Sequence, residues 1–519
     1  MSLLVSLIES ALCSPHCVVM IFAACVILTM IWGLRIPRGW PDGPVGFPFI
    51  GSAFELVHLP HRTLTKYAKK YGPIYSLKIG TRRTVVLNTM DMAKEAFVDK
   101  ANDFAGRVQT QSFDLISEGG KDIFFSDFTK LWQFRRKVGV STIRKYASGL
   151  DLERLFQEEA IPRLFGAIEG KNENPFQTRP LIMLMIVNII GSMCFGTQYE
   201  LDDPEFLELV RITDNMVKTF GNGLIGDAFP IFRPLPTPTL LRARKNLIEW
   251  FDIVQTHVDE HVDKLYCNKV HSRDLIGELL KAKEEMEGES NTSERKYSLD
   301  STTLRQITSN LFGAGLDTTI VTLDWCFAFM IMYPDVQEKA RQEIFSVIGQ
   351  DRLPALSDRK KLPYCIAVIN ETLRIRPTVT VLPRSTTCDT SVGGYQLKRG
   401  TWVWGNVWNI HMDPTAWSEP EQFRPERFLD EDGELIPKPN NFIPFGIGRR
   451  VCLGETLAMN EMLLFFVSLM QRYTFHAPSD GAKPSMDEVC QALIARCQPY
   501  EMIAKRRRPL PTDESKVNQ

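Results

Sequence analysis

From Leu299 to Met332 the chain runs through 34 strongly apolar residues without a proline and stops at Tyr333-Pro334. Proline has no N–H to continue a helix and clashes with the preceding turn. The pattern therefore predicts a helix of roughly 45 Å, long enough to cross a whole domain. Upstream, Leu150 to Lys283 reads mostly as long amphipathic helix, broken by Gly and Pro clusters between Gly221 and Pro238. That broken stretch is itself apolar (Leu224, Ile225, Phe229, Ile231, Phe232), as a lid or a second membrane contact would be. Further helices are expected at His61 to Tyr71, Asp91 to Val98, Pro334 to Val347, Pro363 to Ile375 and Leu453 to Leu469. Period-two alternation is sparse. Ile74 to Gly80 and Thr84 to Leu87 form a hairpin, and Val379 to Leu382, Ser391 to Leu397 and Thr401 to Trp404 are strand-like. Glu284 to Ser298 is polar and reads as a surface loop.

The N-terminus adds a different kind of segment. Cys17 to Leu34 is 18 uncharged residues, about 27 Å as a helix, just enough for a bilayer core. No Lys or Arg precedes Arg35, and Arg35-Ile36-Pro37-Arg38 follows, so the positive-inside rule places the rest of the chain in the cytosol. An uncleaved signal anchor in the endoplasmic reticulum membrane fits better than a cleaved signal peptide or a mitochondrial presequence. Pro37 to Pro48, with four prolines and three glycines, is expected to be a stiff extended linker. A net charge of −1 gives no support for nucleic-acid binding, and Lys505 to Arg508 is the only notable basic run. Eleven scattered cysteines without CxxC spacing fit a reducing compartment.

One of those cysteines stands apart. Phe445-Gly446-Ile447-Gly448-Arg449-Arg450-Val451-Cys452-Leu453-Gly454 puts Cys452 at the end of a glycine-rich turn and just before a helix. Unpaired N–H groups and the helix dipole favour a thiolate there, with Arg449 and Arg450 adding positive charge. Such a thiolate suits a soft or borderline metal, above all haem iron. The spacing Phe-x-x-Gly-x-Arg-x-Cys-x-Gly resembles the haem-binding signature of the cytochrome P450 monooxygenases. Other elements follow in that family's order. Ala314-Gly315-Leu316-Asp317-Thr318-Thr319 interrupts the long helix with residues that loosen it. In isolation Thr318 reads as a kink device and Asp317 as a surface charge, but the run resembles the family's oxygen-binding motif. Glu371-Thr372-Leu373-Arg374 and Pro425-Glu426-Arg427-Phe428 resemble its Glu-x-x-Arg and Pro-Glu-Arg-Phe elements, and Trp132 to Arg136 its Trp-x-x-x-Arg helix. Phe104-Ala105-Gly106-Arg107 and Leu356-Ser357-Asp358-Arg359 resemble runs in the group of steroid 17-hydroxylases and aryl-hydrocarbon hydroxylases.

The resemblance implies a mainly α fold, the cytochrome P450 fold of a triangular helical domain with small β-sheets, plus an N-terminal transmembrane helix. The plan is a signal anchor over 1–34, a hinge over 35–51, a haem-thiolate catalytic domain over 52–505 and a polar tail over 506–519. Haem b would take Cys452 as its axial ligand, with Phe445 and Gly454 beside it. Trp132, Arg136, Arg384 and Arg450 would clamp its propionates. Dioxygen would bind near Gly315 and Thr318, with Asp317 shuttling protons. Glu371, Arg374 and Arg427 would form a buried charge network that holds the thiolate loop. The implied activity inserts one oxygen atom from dioxygen into a C–H bond of an apolar substrate, steroid-like or polycyclic. Pocket walls are expected at Arg107 to Phe125, Asn215 to Phe232, Gly313 to Ala314 and Thr378 to Leu382. The chain carries no flavin or dinucleotide segment, so NADPH–cytochrome P450 reductase, with cytochrome b5 as accessory, would supply electrons. Two other readings stay open here. A thiolate-haem isomerase or sensor would dispense with the Asp317–Thr318 pair. His257-Val258-Asp259-Glu260-His261 matches a zinc metalloprotease pattern, through His257, Glu260 and His261, on a helix expected to be solvated.

Overall fold

The computed structural model describes residues 35–507, apart from 148–149, 222, 269–273, 289–298, 479–480 and 492–493, and a few isolated positions before residue 35. The anchor expected over 1–34 and the tail beyond Arg507 therefore lie outside the described residues, and Arg506 closes a strand. The main helices are α1 (Pro60–Tyr71), α2 (Lys130–Ala147), α3 (Thr178–Phe195), α4 (Pro204–Phe220), α5 (Pro238–Asn268), α6 (Leu275–Gly288), α7 (Ser301–Met332), α8 (Pro334–Val347), α9 (Pro363–Ile375) and α10 (Glu455–Arg472). A mixed sheet in the order β1–β2–β4–β3 joins β1 (Ile74–Ile79), β2 (Arg82–Leu87), β3 (Val381–Ser385) and β4 (Trp402–Asn406). The β2–β4 pair is parallel, and the other two are antiparallel. A hairpin of β5 (Glu488–Gln491) and β6 (Ile494–Cys497) reaches towards this sheet through Ala495 N–H to the Thr378 carbonyl.

The long central helix forms as expected. Asp300 caps α7 by accepting from Thr303 N–H at 2.8 Å, and Pro334 stops it. Both α3 and α7 are apolar enough to cross a membrane, but 83% and 78% of their most apolar windows are buried, so they are core helices. This corrects the amphipathic reading of α3, which is hydrophobic on every face because other helices surround it. Two other boundaries move. The helix α6 continues to Gly288, into the stretch expected to be loop, and the hinge is no free spacer, since Arg83 donates to Arg35 O at 3.1 Å and Trp40 packs on the core beside the mixed sheet. From Pro41 the hinge is stitched to β1: Ser76 Oγ donates to Pro41 O and Ser76 N–H to Asp42 O. Gly43 is obligatory there, since a Cβ would lie 1.7 Å from Ser76 O.

What fixes the segment before Cys452 is a buried charge network. Glu371 and Arg374 are both fully buried, with bonds of 2.7 and 2.8 Å between them, and Arg427 Nε donates to Glu371 Oε1 at 3.0 Å. Arg374 also donates to His411 O and Pro420 O. His411 completes the link, its Nε2 accepting Ile443 N–H at 2.9 Å and its Nδ1 donating to Arg374 O. Ile443 opens the turn that leads into the cysteine loop.

Two outcomes follow for stability. Glu371→Ala strands Arg374 and Arg427 and should cost about 3–5 kcal/mol, read as a lowered thermal midpoint; an unchanged midpoint would show that the network holds nothing in place. Burial first, and Arg374 second, push the His411 imidazole down to about 3. Between that value and the unfolded value near 6.5 only the unfolded chain takes up the proton, so stability is full above about 6.5 and declines as pH falls. From pH 6 to pH 5, denaturant titration should show wild type losing about 1 kcal/mol more than His411→Gln.

Candidate active site

The loop from Phe445 to Gly454 is shaped by glycine. Gly446 and Gly448 adopt φ of 72° and 75°, and a Cβ on Gly448 would lie 1.7 Å from Phe97 O. Cys452 N–H donates to Phe445 O at 2.9 Å, closing the loop, and α10 starts three residues later. Cys452 is accessible, whereas Cys194, Cys326 and Cys365 are packed away.

The arginines expected beside the sulfur point elsewhere. Arg449 donates to Asn102 Oδ1, and Arg450 donates to the carbonyls of Ala105 and Ser126. Arg136 on α2 approaches instead, donating to Val451 O at 2.6 Å. Loss of solvent around the sulfur raises the Cys452 thiol from its ordinary value although one side of it is open, and the Gly454 N–H and Arg136 oppose that rise.

Arg450 belongs to a second feature, a cluster with Arg107, Arg136 and Arg384. Arg107 and Arg384 both donate to Pro383 O, and Arg107 also to Phe124 O. All of these acceptors are backbone carbonyls, and the four guanidiniums form no salt bridge among the described residues. Burial first and mutual repulsion second push Arg450 down to about 8 and Arg384 well below the usual range, and burial pushes Arg107 to about 10. Asp122 and Asp127 offset part of this charge from nearby, but none of the four guanidiniums is ion-paired among the described residues, and an anionic ligand with two carboxylates would complete them. Trp132 stands beside the cluster. Its Nε1 donates to Ile123 O at 2.7 Å, and its ring is the platform for Arg450 at 3.9 Å and Arg136 at 5.5 Å. Arg107 enters the cluster although the sequence pointed to it only as a wall residue.

The remaining wall is α7, continuous through the expected kink, where Thr318 Oγ1 donates back to Ala314 O at 2.8 Å. One side of α7 meets α5, through Trp250 Nε1 to Ser309 Oγ and Trp250 stacked on Phe312. Gly315 meets α3, where a Cβ would lie 2.4 Å from Ile190 Cδ1. Gly315 is therefore a glycine that the packing of α3 on α7 requires. The arc left over carries Asn310, Ala314 and Thr318, spaced four residues apart and turning by about 80°. It faces the loop of Asp122 to Ser126, whose Ile123 and Phe124 N–H groups bond to Asn310 Oδ1 at 2.8 and 3.2 Å. Asp317 is no loose surface charge: Arg179 at 3.3 Å and Arg496 hold its carboxylate. Of the expected walls, Phe113 and Phe125 pack at 4.7 Å, and Asp227 ties Ser112 to the 225–233 segment.

The zinc pattern does not assemble. His257 and His261 are buried, which corrects the solvated helix expected there. Each is committed to its own carboxylate, Glu205 at 2.8 Å and Asp274 at 2.7 Å, while Glu260 is largely exposed. Among the described residues no three such side chains converge as metal ligands.

Comparison with known proteins agrees with this geometry. The family model described as Cytochrome P450 matches residues 41–503. The chain is 34% identical to the steroid 17-alpha-hydroxylase/17,20 lyase of Rana dybowskii over 482 residues, 91% of each protein. It is 33% identical to cytochrome P450 1A1 of Homo sapiens, over 93% of this chain and 97% of that one. Among solved structures, a zebrafish cytochrome P450 with progesterone superposes with a TM-score of 0.76 at 31% identity, covering 86% of this chain and 99% of that one. With a family model that spans most of its length and relatives above 30% identity over nine-tenths of it, the chain belongs to the cytochrome P450 family.

Proposed function

We propose that this chain is a microsomal haem-thiolate monooxygenase in which Cys452 ligates the iron of haem b. The observation that carries the assignment is the pairing of an accessible thiol with four guanidiniums, two buried and two half-buried, that form no salt bridge among the described residues. The P450 family uses a haem iron with a thiolate ligand, and the residues present fit that group. When bound, the haem iron supplies the activation of dioxygen by which one oxygen atom enters a substrate C–H bond. Arg107, Arg136, Arg384 and Arg450 would hold the propionates, with Trp132 setting the planes of Arg136 and Arg450.

The chain's own residues divide the remaining work. Thr318 presents its hydroxyl on the open arc of α7, and releasing Ala314 O frees it to bond an oxygen in the cavity. Asp317 is adjacent, and a proton passes through its carboxylate when Arg179 or Arg496 lets go. An isomerase or sensor has no use for this pair, so its presence favours the oxygenase. Half-buried Phe113, Phe124 and Phe125 suit a flat apolar substrate, steroid-like or polycyclic, and the name of the steroid 17-alpha-hydroxylase relative supports the former.

The catalytic domain extends over 52–505, anchored in the endoplasmic reticulum membrane by residues 1–34, and takes its electrons from NADPH–cytochrome P450 reductase, with cytochrome b5 as accessory. Exposed Phe47, Phe49 and Phe54 adjoin the Gly80–Thr81 turn, which touches Ala228 beside exposed Ile231 and Phe232. That grouping supports a membrane-facing edge at the end of the domain nearest the anchor.

Reduced and treated with carbon monoxide, the purified protein should give the red-shifted Soret band of sulfur-ligated haem, and Cys452→Ser should abolish it; a colourless wild type would end the assignment. In Thr318→Ala the band should persist while product formed per NADPH falls by about tenfold or more. Unchanged coupling would remove Thr318 from the reaction.

A further inference from the structure

We propose that Asn310 is the polar anchor of the substrate pocket, its side-chain NH2 donating to one acceptor oxygen of an otherwise apolar substrate at the end remote from the oxidised carbon. The inference rests on the monooxygenase reading and adds what the substrate must carry.

The argument begins with the amide itself. Asn310 lies on α7, a helix that is apolar for most of its length, and is 7% exposed. Two N–H donors, from Ile123 and Phe124, converge on one of its terminal atoms, so that atom is the oxygen and the orientation of the amide is settled. The Nδ2 group then points away from those two donors. It has no partner among the described residues, and it is not one of the polar atoms sealed from solvent. An aspartate would serve the two N–H groups at least as well, through charge-assisted bonds. What asparagine adds at this position is a donor, and a donor in an apolar wall calls for an acceptor.

Position then defines the ligand. Asn310, Ala314 and Thr318 share the one arc of α7 that neither α3 nor α5 covers. Eight residues separate Asn310 from Thr318, about 12 Å along the axis. Phe124 is next to the loop N–H that Asn310 accepts, and Phe113 packs on Phe125 at 4.7 Å. The pocket so built takes a long, rigid, apolar body with a ketone or ether oxygen about 12 Å from the carbon that is oxidised. An ammonium group has no acceptor to offer and is refused at that end.

Spectral titration of the haem-loaded enzyme tests this, using progesterone and the two analogues that each lack one of its carbonyl oxygens. In wild type, one analogue should bind about three- to tenfold more weakly than progesterone, the value of one neutral hydrogen bond. Asn310→Asp keeps an oxygen for Ile123 and Phe124 but removes the donor. In that variant progesterone should weaken by the same factor, and its advantage over that analogue should disappear. Both analogues binding wild type as tightly as progesterone would overturn the inference, and that comparison stands even if Asn310→Asp fails to fold. So would an equal loss for all three ligands in Asn310→Asp with its carbon monoxide band intact. A wild type without that band would bring down the monooxygenase reading itself, and the inference with it, which is a different and distinguishable failure.

Discussion

Positive charge gathered inside the molecule, only partly offset by Asp122 and Asp127, is the constraint on which the rest depends. Arg107, Arg136, Arg384 and Arg450 come from four separate segments: a loop before the aromatic wall, the helix α2, the strand β3 and the cysteine loop. They are brought together inside the protein with only backbone carbonyls as acceptors. Arginine does not readily give up its proton, so the strain cannot be relieved by neutralisation as it would be for lysine. The scaffold must hold the four against their repulsion, and an anionic ligand that enters the site stabilises the folded state by binding it alone. Glu371 is the mirror image, one buried carboxylate shared between Arg374 and Arg427 and closed to any ligand.

These two charge centres are mechanically joined. His411 accepts the Ile443 N–H on one side and donates to Arg374 O on the other, so the Glu371 network holds the start of the loop that ends at Cys452. Gly448 fixes the middle of that loop against Phe97 O, and Arg450 fixes its end to the Ala105 and Ser126 carbonyls. The position of the sulfur is thus set by three attachments, none of which involves the sulfur itself.

How much of this could be read from the sequence follows the distance between partners. The Cys452 loop, the central helix and the Glu371–Arg374 pair were legible because each is written within a few consecutive turns. The order of their motifs then gave the fold. His411, Arg179, Arg496 and the ligand-facing role of Arg107 were not legible. Asp317 meets Arg179 and Arg496 across more than a hundred residues, and no periodicity encodes such a meeting. The readings that failed share a cause, which is that composition was taken for environment. Arg449 and Arg450 were placed beside the sulfur because they adjoin it in sequence, and the His257 helix in water because its neighbours are charged.

The helices α3 and α7 carry one more consequence, for how the chain is made. By length and mean hydropathy both qualify as membrane spans, yet both end in the core. Until they pack, nothing in their own composition separates them from segments that enter a bilayer. Their correct fate is decided by timing. As α3 leaves the ribosome it needs α7 to cover it, and 105 residues lie between the end of α3 and the start of α7. At about 5–20 residues per second, that delay leaves a bare apolar rod exposed for some 5–20 seconds. During that interval the segment 155–169, already made and packed on α3, shields only part of it, and a holding factor must cover the rest.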